Sequence, residues 1–397
     1  MAIYDHPAGE MPEPKRKPYM MGDEFKPTTL EGEFTMKKKK DVTDEILDIL
    51  SARRATPDTT IVEDIIEEEE IIPPLPELET TEWTERPDGK SERQIPFSKK
   101  YWKPKNVPDH LVWEFKGYDS PEDIGLYIPP KEEFEHLSLS FALNLKVNIV
   151  GPTGCGKTLM YEYYASSTGR PYLRIEHNVE LDKASVFGQV HINVDDEGRQ
   201  STDFIPGVFV RSASEPTIVN LDELTRATGH SNMIYQRPLD RGEIFMPEMK
   251  DAGAAAIKPD PQWLLCASDN TKGNGEDLEK YPMSNVQDSA FINRWDIIIE
   301  QDYLVAKDEE KLIEALCPSL GSAQTKRLVK FSALVHEGFR KGEIQTAFSP
   351  RNLSCIAKFV NAGVELKTAI NMNYTNRCGK SEQSDVVECI KSAFGSR

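Results

Sequence analysis

The sequence has no apolar run approaching the roughly 18 residues that a membrane-spanning helix requires, which excludes a helical membrane anchor within it. Cysteine is sparse and without pattern. The six cysteines, at 155, 266, 317, 355, 378 and 389, show no C-x-x-C spacing. That argues against a zinc site and against a disulfide framework. The opening residues Met1-Ala2-Ile3-Tyr4-Asp5-His6 lack a basic region and an apolar stretch, so no secretory signal is expected. A reducing, cytoplasmic setting follows as the expectation. Positive charge is also short: 48 Lys and Arg face 66 Asp and Glu, for a formal net charge of -18. This disfavours broad binding to nucleic acid or to an anionic membrane, and leaves open a local basic channel in an oligomer.

What is present is unevenly spread. The chain has 397 residues, room for two or three domains, and 38% of them are hydrophobic. Residues 1–100 hold 24 Asp and Glu against 15 Lys and Arg, so half the net charge lies in a quarter of the chain. They also hold 11 of the 27 prolines. Ile71-Ile72-Pro73-Pro74-Leu75-Pro76 can form neither helix nor central strand. Residues 1–104 are therefore expected to be an extended or disordered acidic arm. Two islands interrupt it, a helical pattern at Asp41–Leu50 and an acidic–isoleucine stretch at Glu63–Ile72. They are either solvated tail or tethers that fold on a partner. The run Lys37–Lys40 reads as a solvated charge run.

The rest of the chain is organised around Gly151-Pro152-Thr153-Gly154-Cys155-Gly156-Lys157-Thr158, which fits the phosphate-binding pattern G-x-x-x-x-G-K-[ST]. Before it Leu145–Val150 reads as a buried strand, and after it Leu159–Ala165 can continue as a helix. The glycines let backbone N–H groups turn inward on phosphates, and the helix N-terminus adds a positive dipole end. Lys157 is expected to reach the β- and γ-phosphates of ATP, and the Thr158 hydroxyl to ligate Mg²⁺.

Further strands carry chemistry at their ends. A helix is expected over Glu132–Leu143 and a strand over Tyr172–Ile175. Thr217–Leu221 runs into Asp222-Glu223, an apolar strand ending in two acids. Asp222 suits Mg²⁺, and Glu223 suits orienting and polarising an attacking water. Trp263–Ser268 is a fourth strand, followed by Asp269-Asn270-Thr271. At the end of a central strand Asn270 either holds the lytic water or forms a turn. Ala290–Ile299 is a helix end running into a fifth strand, with Arg294 at the junction. Arg294 is either a structural cation or an arginine finger for a neighbour's nucleotide. His191 and His230 are isolated and receive no role. Beyond residue 305 three helices are expected, at Asp308–Leu316, Gln324–Phe339 and from Arg351 to Val360.

Together with Asn293-Arg294-Trp295 and Ser349-Pro350-Arg351, these residues resemble AAA+ ATPases of the MoxR group. Within that group, Ile257–Thr271 and Asn293–Asp296 are similar to the ATPase subunit of aerobic cobaltochelatase, CobS. The resemblance covers about residues 125–360. It implies an α/β fold: a P-loop core with a parallel sheet in residues 105–304, then a small helical lid in residues 305–397. It implies Asn270 as sensor 1, Arg294 as a finger acting in trans, Arg351 as sensor 2, and a hexameric ring. Asp269 stands where a small or apolar residue is more usual, and Cys155 sits inside the P-loop; neither removes a catalytic group. Two insertions also fit, hairpins at Phe187–Val210 and Phe245–Ile257, which in such motors face the pore or surface. As ordinary surface loops they would have no such role.

The expected function is an ATP-hydrolysing ring motor that remodels a partner protein, in one form the ATPase component of a metal chelatase. The metal-site partner, of von Willebrand A type, would then be a separate chain. The alternatives are a nucleotide-dependent assembly scaffold with slow hydrolysis and, less favoured by the charge, a motor on nucleic acid.

Overall fold

The computed structural model describes residues 78–395, apart from 123, 179–180, 182, 195–197, 247–255 and 276–280. The islands expected at 41–50 and 63–72, and the arm up to residue 77, lie outside the described residues.

The centre is a five-stranded parallel sheet. Its strands are β4 (Val147–Val150), β5 (Tyr172–Glu176), β8 (Ile218–Asp222), β11 (Leu264–Asp269) and β12 (Ile297–Glu300). Their spatial order is β12–β4–β11–β8–β5. All four residues of β4 and all six of β11 are buried, as strands covered on both faces must be. Alternate residues serve opposite layers. Leu264 and Cys266 of β11 join Phe134, Leu137, Met160 and Tyr161, which come from helices α1 (Lys131–Ala142) and α2 (Lys157–Thr168). Leu265 and Ala267 join Phe209, Tyr235 and Trp295 on the other face. The five expected strands and the two helices are borne out, with ends shifted by one to three residues.

Register places the chemistry. Val150 lies opposite Asp269 and Glu300, and Asp222 lies opposite Ser268 and Glu176. The carboxyl ends of all five strands thus meet at one edge, where open α/β sheets bind ligands.

Part of the expected arm is built in. Three antiparallel strands, β1 (Thr84–Glu85), β2 (Ser91–Pro96) and β3 (Leu111–Lys116), form a small sheet, and a single helical turn follows at Phe97–Lys100. Phe97 and Val112 are fully buried in the layer that holds α1 and α2. Arg170, 1% exposed, donates to the carbonyls of Pro216 and Gln262, and its guanidinium lies 4.6 Å from the Phe115 ring. Arg86 pairs with Glu92 and with Asp260. The ordered fold therefore begins before residue 105. Average composition hid a strand and a helical turn whose apolar anchors are few: Ile95 is half-buried against the core and Phe97 is fully buried in it.

Between β5 and β8 the expected hairpin is present as β6 (Gly188–Val194) and β7 (Gln200–Pro206). It interrupts a helix, Lys183–Phe187 before and Val208–Ser212 after, held by Gly207 N–H donating to the Phe187 carbonyl. The second hairpin is short, β9 (Ile244–Phe245) with β10 (Ala256–Ile257).

After β12 come five helices: α3 (Ala306–Leu316), α4 (Gly321–Lys341), α5 (Pro350–Asn361), α6 (Leu366–Asn373) and α7 (Gln383–Phe394). Their apolar faces share one core that includes Leu312, Phe331, Val335, Phe348, Ile356 and Tyr374. The three expected helices are borne out; α6 and α7 fall within the expected helical lid without having been delimited individually. Gly342, at φ 77°, ends α4 in the left-handed conformation. Pro350 starts α5 where no N–H partner is needed, while Ser349 N–H donates to the Asn352 side chain. No helix among the described residues is long and apolar enough to cross a membrane.

Candidate functional site

The glycine loop leaves β4 at Gly151 and enters α2 at Lys157. Its glycines are required by space as well as by backbone angle. A Cβ on Gly151 would fall 1.9 Å from the Gln301 carbonyl oxygen, and one on Gly154 would fall 2.5 Å from Ser349 Cβ. Gly154 and Gly156 have φ of 81° and 101°, conformations that side-chain-bearing residues rarely adopt.

Lys157 is buried in the loop's concavity. Its Nζ donates to the carbonyls of Gly151 and Pro152, each at 2.9 Å, and to Asn270 Oδ1 at 3.0 Å. Thr158 opens the helix beside it, with Oγ1 donating to Asp222 Oδ1 at 3.3 Å. Asp222, 4% exposed, also accepts from Ser268 Oγ and from Arg174. Glu223 follows at φ 53°, its N–H donating to the Ser268 carbonyl. This left-handed step at the strand end turns its carboxylate away from the ladder, where it pairs with Arg226 at 2.7 Å. Burial pushes the Glu223 carboxyl above its ordinary range.

Asp269 has a structural reason. Only 2% exposed, it accepts from Thr225 N–H at 2.7 Å, from Thr225 Oγ1 and from Asn270 N–H. It ties the strand-end Asn270 to the turn after Glu223. Burial raises its carboxyl to about 6. Cys155 is buried, its Sγ 3.6 Å from the Gln301 carbonyl, and burial pushes its thiol up.

A cavity of about 270 Å³ opens beside the loop. It is lined by Gly154–Thr158 on one side, by Tyr127 and Ile128 on another, and by Leu312, Leu316, Arg351 and Ser354 from the helical region. The buried Tyr127 hydroxyl has no hydrogen-bond partner among the described residues.

The sequence-derived candidates thus divide. Gly151 to Thr158, Asp222, Glu223 and Asn270 lie together at one sheet edge, and Arg351 faces the same cavity from α5. Arg294 does not join them. It donates through Nε to Asp240 at 2.8 Å and through a terminal nitrogen to the Ala290 carbonyl. Three supporting residues were not foreseen. Gln301 Nε2 donates to the Cys155 carbonyl at 2.8 Å, Tyr303 Oη to the Thr153 carbonyl at 3.3 Å, and Arg174 to Asp222 at 2.6 Å. The first two follow β12 directly and no local pattern marks them; Arg174 sits in a strand whose alternation reads only as packing.

The residues fit Mg²⁺ and ATP. Thr158 and Asp222 present hard oxygen donors side by side, as Mg²⁺ requires. Glycines without room for a Cβ, a lysine and a helix N-terminus are the components of a phosphate cradle. Among the described residues no group of three or more His, Cys, Asp or Glu could hold a metal.

The family and sequence matches agree with this geometry. Residues 146–280 match the AAA domain of the dynein-related subfamily. The chain is 24% identical over 274 residues to the aerobic cobaltochelatase subunit CobS of a Sinorhizobium species, covering 68% of this chain and 81% of that protein. It is 32% identical over 182 residues to midasin of Dictyostelium discoideum, covering 45% of this chain and 3% of midasin. Among solved structures, a RuvB mutant of Thermotoga maritima aligns with a TM-score of 0.42 at 14% identity, covering 66% of this chain and 75% of that one. The likeness to MoxR-type AAA+ ATPases, CobS among them, read from the motifs, is borne out.

Proposed function

We propose that this chain, whose residues 146–280 form an AAA domain, is an ATP-hydrolysing motor of the MoxR and CobS type that assembles as a ring and remodels a partner protein. One observation carries the reading: Lys157, Thr158, Asp222, Glu223 and Asn270 converge at one sheet edge beside a cavity that Arg351 reaches from the helical region.

On this reading the loop N–H groups and Lys157 hold the β- and γ-phosphates. Thr158 and Asp222 would hold Mg²⁺. When bound, the metal offsets the charge of the phosphate oxygens during transfer. Glu223 orients the attacking water and accepts its proton at the carboxylate, for which a raised pKa is suited. Asn270, kept in place by Asp269, positions that water and the Lys157 ammonium. Tyr127, Ile128, Leu312 and Leu316 exclude solvent from the base. Arg351 brings a guanidinium from α5, so the angle of the lid follows the nucleotide.

Arg294 is assigned to a neighbouring subunit's site. Its engagement with Asp240 and Ala290, away from its own P-loop, supports a finger acting in trans, and a trans finger requires a ring, here a hexamer. The domains are then an arm, a core over 105–304 extended by strands β1 and β2 before it, and a lid over 305–397. Hairpin β6–β7, with Val190, Ile192 and Val194 exposed, is assigned to partner contact. The similarity to CobS favours the ATPase half of a chelatase-like system, in the cytoplasm, with a separate von Willebrand A-type partner.

The test is the mass of the purified chain with and without ATP and Mg²⁺, in wild type and in Glu223→Gln, alongside turnover. Six subunits with ATP, and turnover abolished in Lys157→Ala and Glu223→Gln, support the proposal. Unchanged turnover in those variants sinks the ATPase assignment. A monomer that binds nucleotide sinks the ring.

A further inference from the structure

The acid expected to hold the metal already holds a cation from its own chain. Asp222 is buried, and its two oxygens are divided between partners. Oδ1 accepts from Ser268. Oδ2 receives the Arg174 guanidinium twice, from Nε at 2.6 Å and from a terminal nitrogen at 2.5 Å. Thr158 Oγ1 lies 3.3–3.4 Å from both oxygens. Arg174 comes from β5, the edge strand of the sheet, and its side chain is 41% exposed. Its guanidinium thus reaches a buried carboxylate from the solvent side, with Glu176 3.6 Å away as a second acceptor.

This arrangement has a consequence for metal loading. A buried carboxylate without a counter-charge is costly, so a compensating cation stabilises it. A metal ion on Asp222 and a guanidinium on the same oxygen compete for the same lone pairs and the same negative charge. Arg174 can leave without being buried, since a large part of its side chain is exposed and Glu176 stands beside it.

We infer that Arg174 is a positioning residue that pairs with Asp222 and yields it to Mg²⁺, so that metal loading is an exchange of one cation for another. The inference rests on the ATPase reading above. It makes the site resistant to Mg²⁺ arriving alone and biases it toward Mg²⁺ arriving with a phosphate chain, whose negative charge offers the displaced guanidinium a new partner. Sequence reading does not find Arg174 because Tyr172-Leu173-Arg174-Ile175-Glu176 shows only strand alternation.

The experiment is a Mg²⁺ titration of a fluorescent, slowly hydrolysed ATP analogue bound to the full chain, in wild type, Arg174→Gln and Arg174→Lys. A partly exposed ion pair contributes about 1 kcal/mol, which is about fivefold in an equilibrium constant. Arg174→Gln is expected to reach half-maximal response at about fivefold lower Mg²⁺, while a circular-dichroism spectrum matching wild type certifies the fold. Arg174→Lys, which keeps a cation, is expected to stay near wild type. A midpoint in Arg174→Gln that is unchanged or higher overturns the inference while leaving the ATPase reading intact. A wild-type chain that binds no analogue at any Mg²⁺ concentration overturns that reading, and the inference with it.

Discussion

The Tyr303 ring lies flat on the His336 ring, with centroids 3.8 Å apart and planes 1° apart. Tyr303 follows β12 and donates to the Thr153 carbonyl in the glycine loop. His336 lies on α4 and its Nε2 donates to the Phe348 carbonyl at 2.8 Å, just before Ser349-Pro350-Arg351. Burial lowers His336 to about 4, so the ring is neutral and the stack persists across physiological pH. The two rings therefore link the phosphate loop to the helix that carries Arg351.

Cutting that link should weaken nucleotide binding. Tyr303→Phe keeps the ring and loses one hydrogen bond, worth about 1 kcal/mol, so its nucleotide affinity should stay within about fivefold of wild type. Tyr303→Ala removes the stack as well, and its affinity should fall by at least about tenfold. Titration with a fluorescent nucleotide reads both. Equal affinity in Tyr303→Ala and wild type would show that the lid and loop are not coupled through these rings.

Arg294 should act on a neighbour's nucleotide. Arg294→Ala should retain ATP binding and lose turnover by a factor on the order of 10³. Mixing it with Lys157→Ala should restore part of the rate, because pockets of the first variant then face intact fingers of the second. Steady-state phosphate release on mixing measures this. No recovery at any ratio, in chains shown to co-assemble, would assign Arg294 to a structural role.

Gly151 should tolerate no side chain. The position a Cβ would take lies 1.9 Å from the Gln301 carbonyl, whose residue also holds Cys155. Gly151→Ala must push the backbone after β12 away from the loop, and should cost about 1–3 kcal/mol, the range for overpacking. Thermal melting reads the loss, and nucleotide affinity should drop with it. A melting temperature equal to wild type would show that the loop and the segment after β12 separate freely.

Stability should carry a pH signature from Glu309. On α3, buried, it accepts from Ser332 Oγ at 2.7 Å, and burial raises its carboxyl to about 7 from an ordinary 4.5. Between those values the folded chain binds the proton and the unfolded chain does not, so stability falls as pH rises and the loss is complete above pH 7. The full effect is at most about 3 kcal/mol. Glu309→Gln stays neutral, so relative to wild type it should gain about 1–3 kcal/mol between pH 5 and pH 8. Melting curves at the two pH values test the change. A difference that does not vary with pH would mean that Glu309 ionises in the folded chain as readily as in the unfolded one.

Local sequence patterns set the central architecture and the primary cluster. Gly151–Thr158 between a strand and a helix, Asp222-Glu223 at the end of an apolar run, and Asn270 after another are local patterns. Local patterns suffice because a parallel sheet aligns its strand ends, so residues that end strands meet in space. The helical region was legible for the same reason, from apolar spacing along α3, α4 and α5.

Tertiary structure decided what depends on neighbours distant in the chain. The pairing of β2 with β3 buried Phe97 in a stretch whose proline and acid content reads as arm. Arg174 met Asp222 across 48 residues, Gln301 met Cys155 across 146, and Tyr303 met Thr153 across 150. Asp269, an unexplained acid in the sequence, acquired its purpose only when Thr225 turned two donors toward it. Each of these is a polar or aromatic group whose partner is fixed by packing rather than by spacing. A sequence carries the periodicity of its own elements, but the matching of one element's donors to another's acceptors exists only once the sheet has set their register.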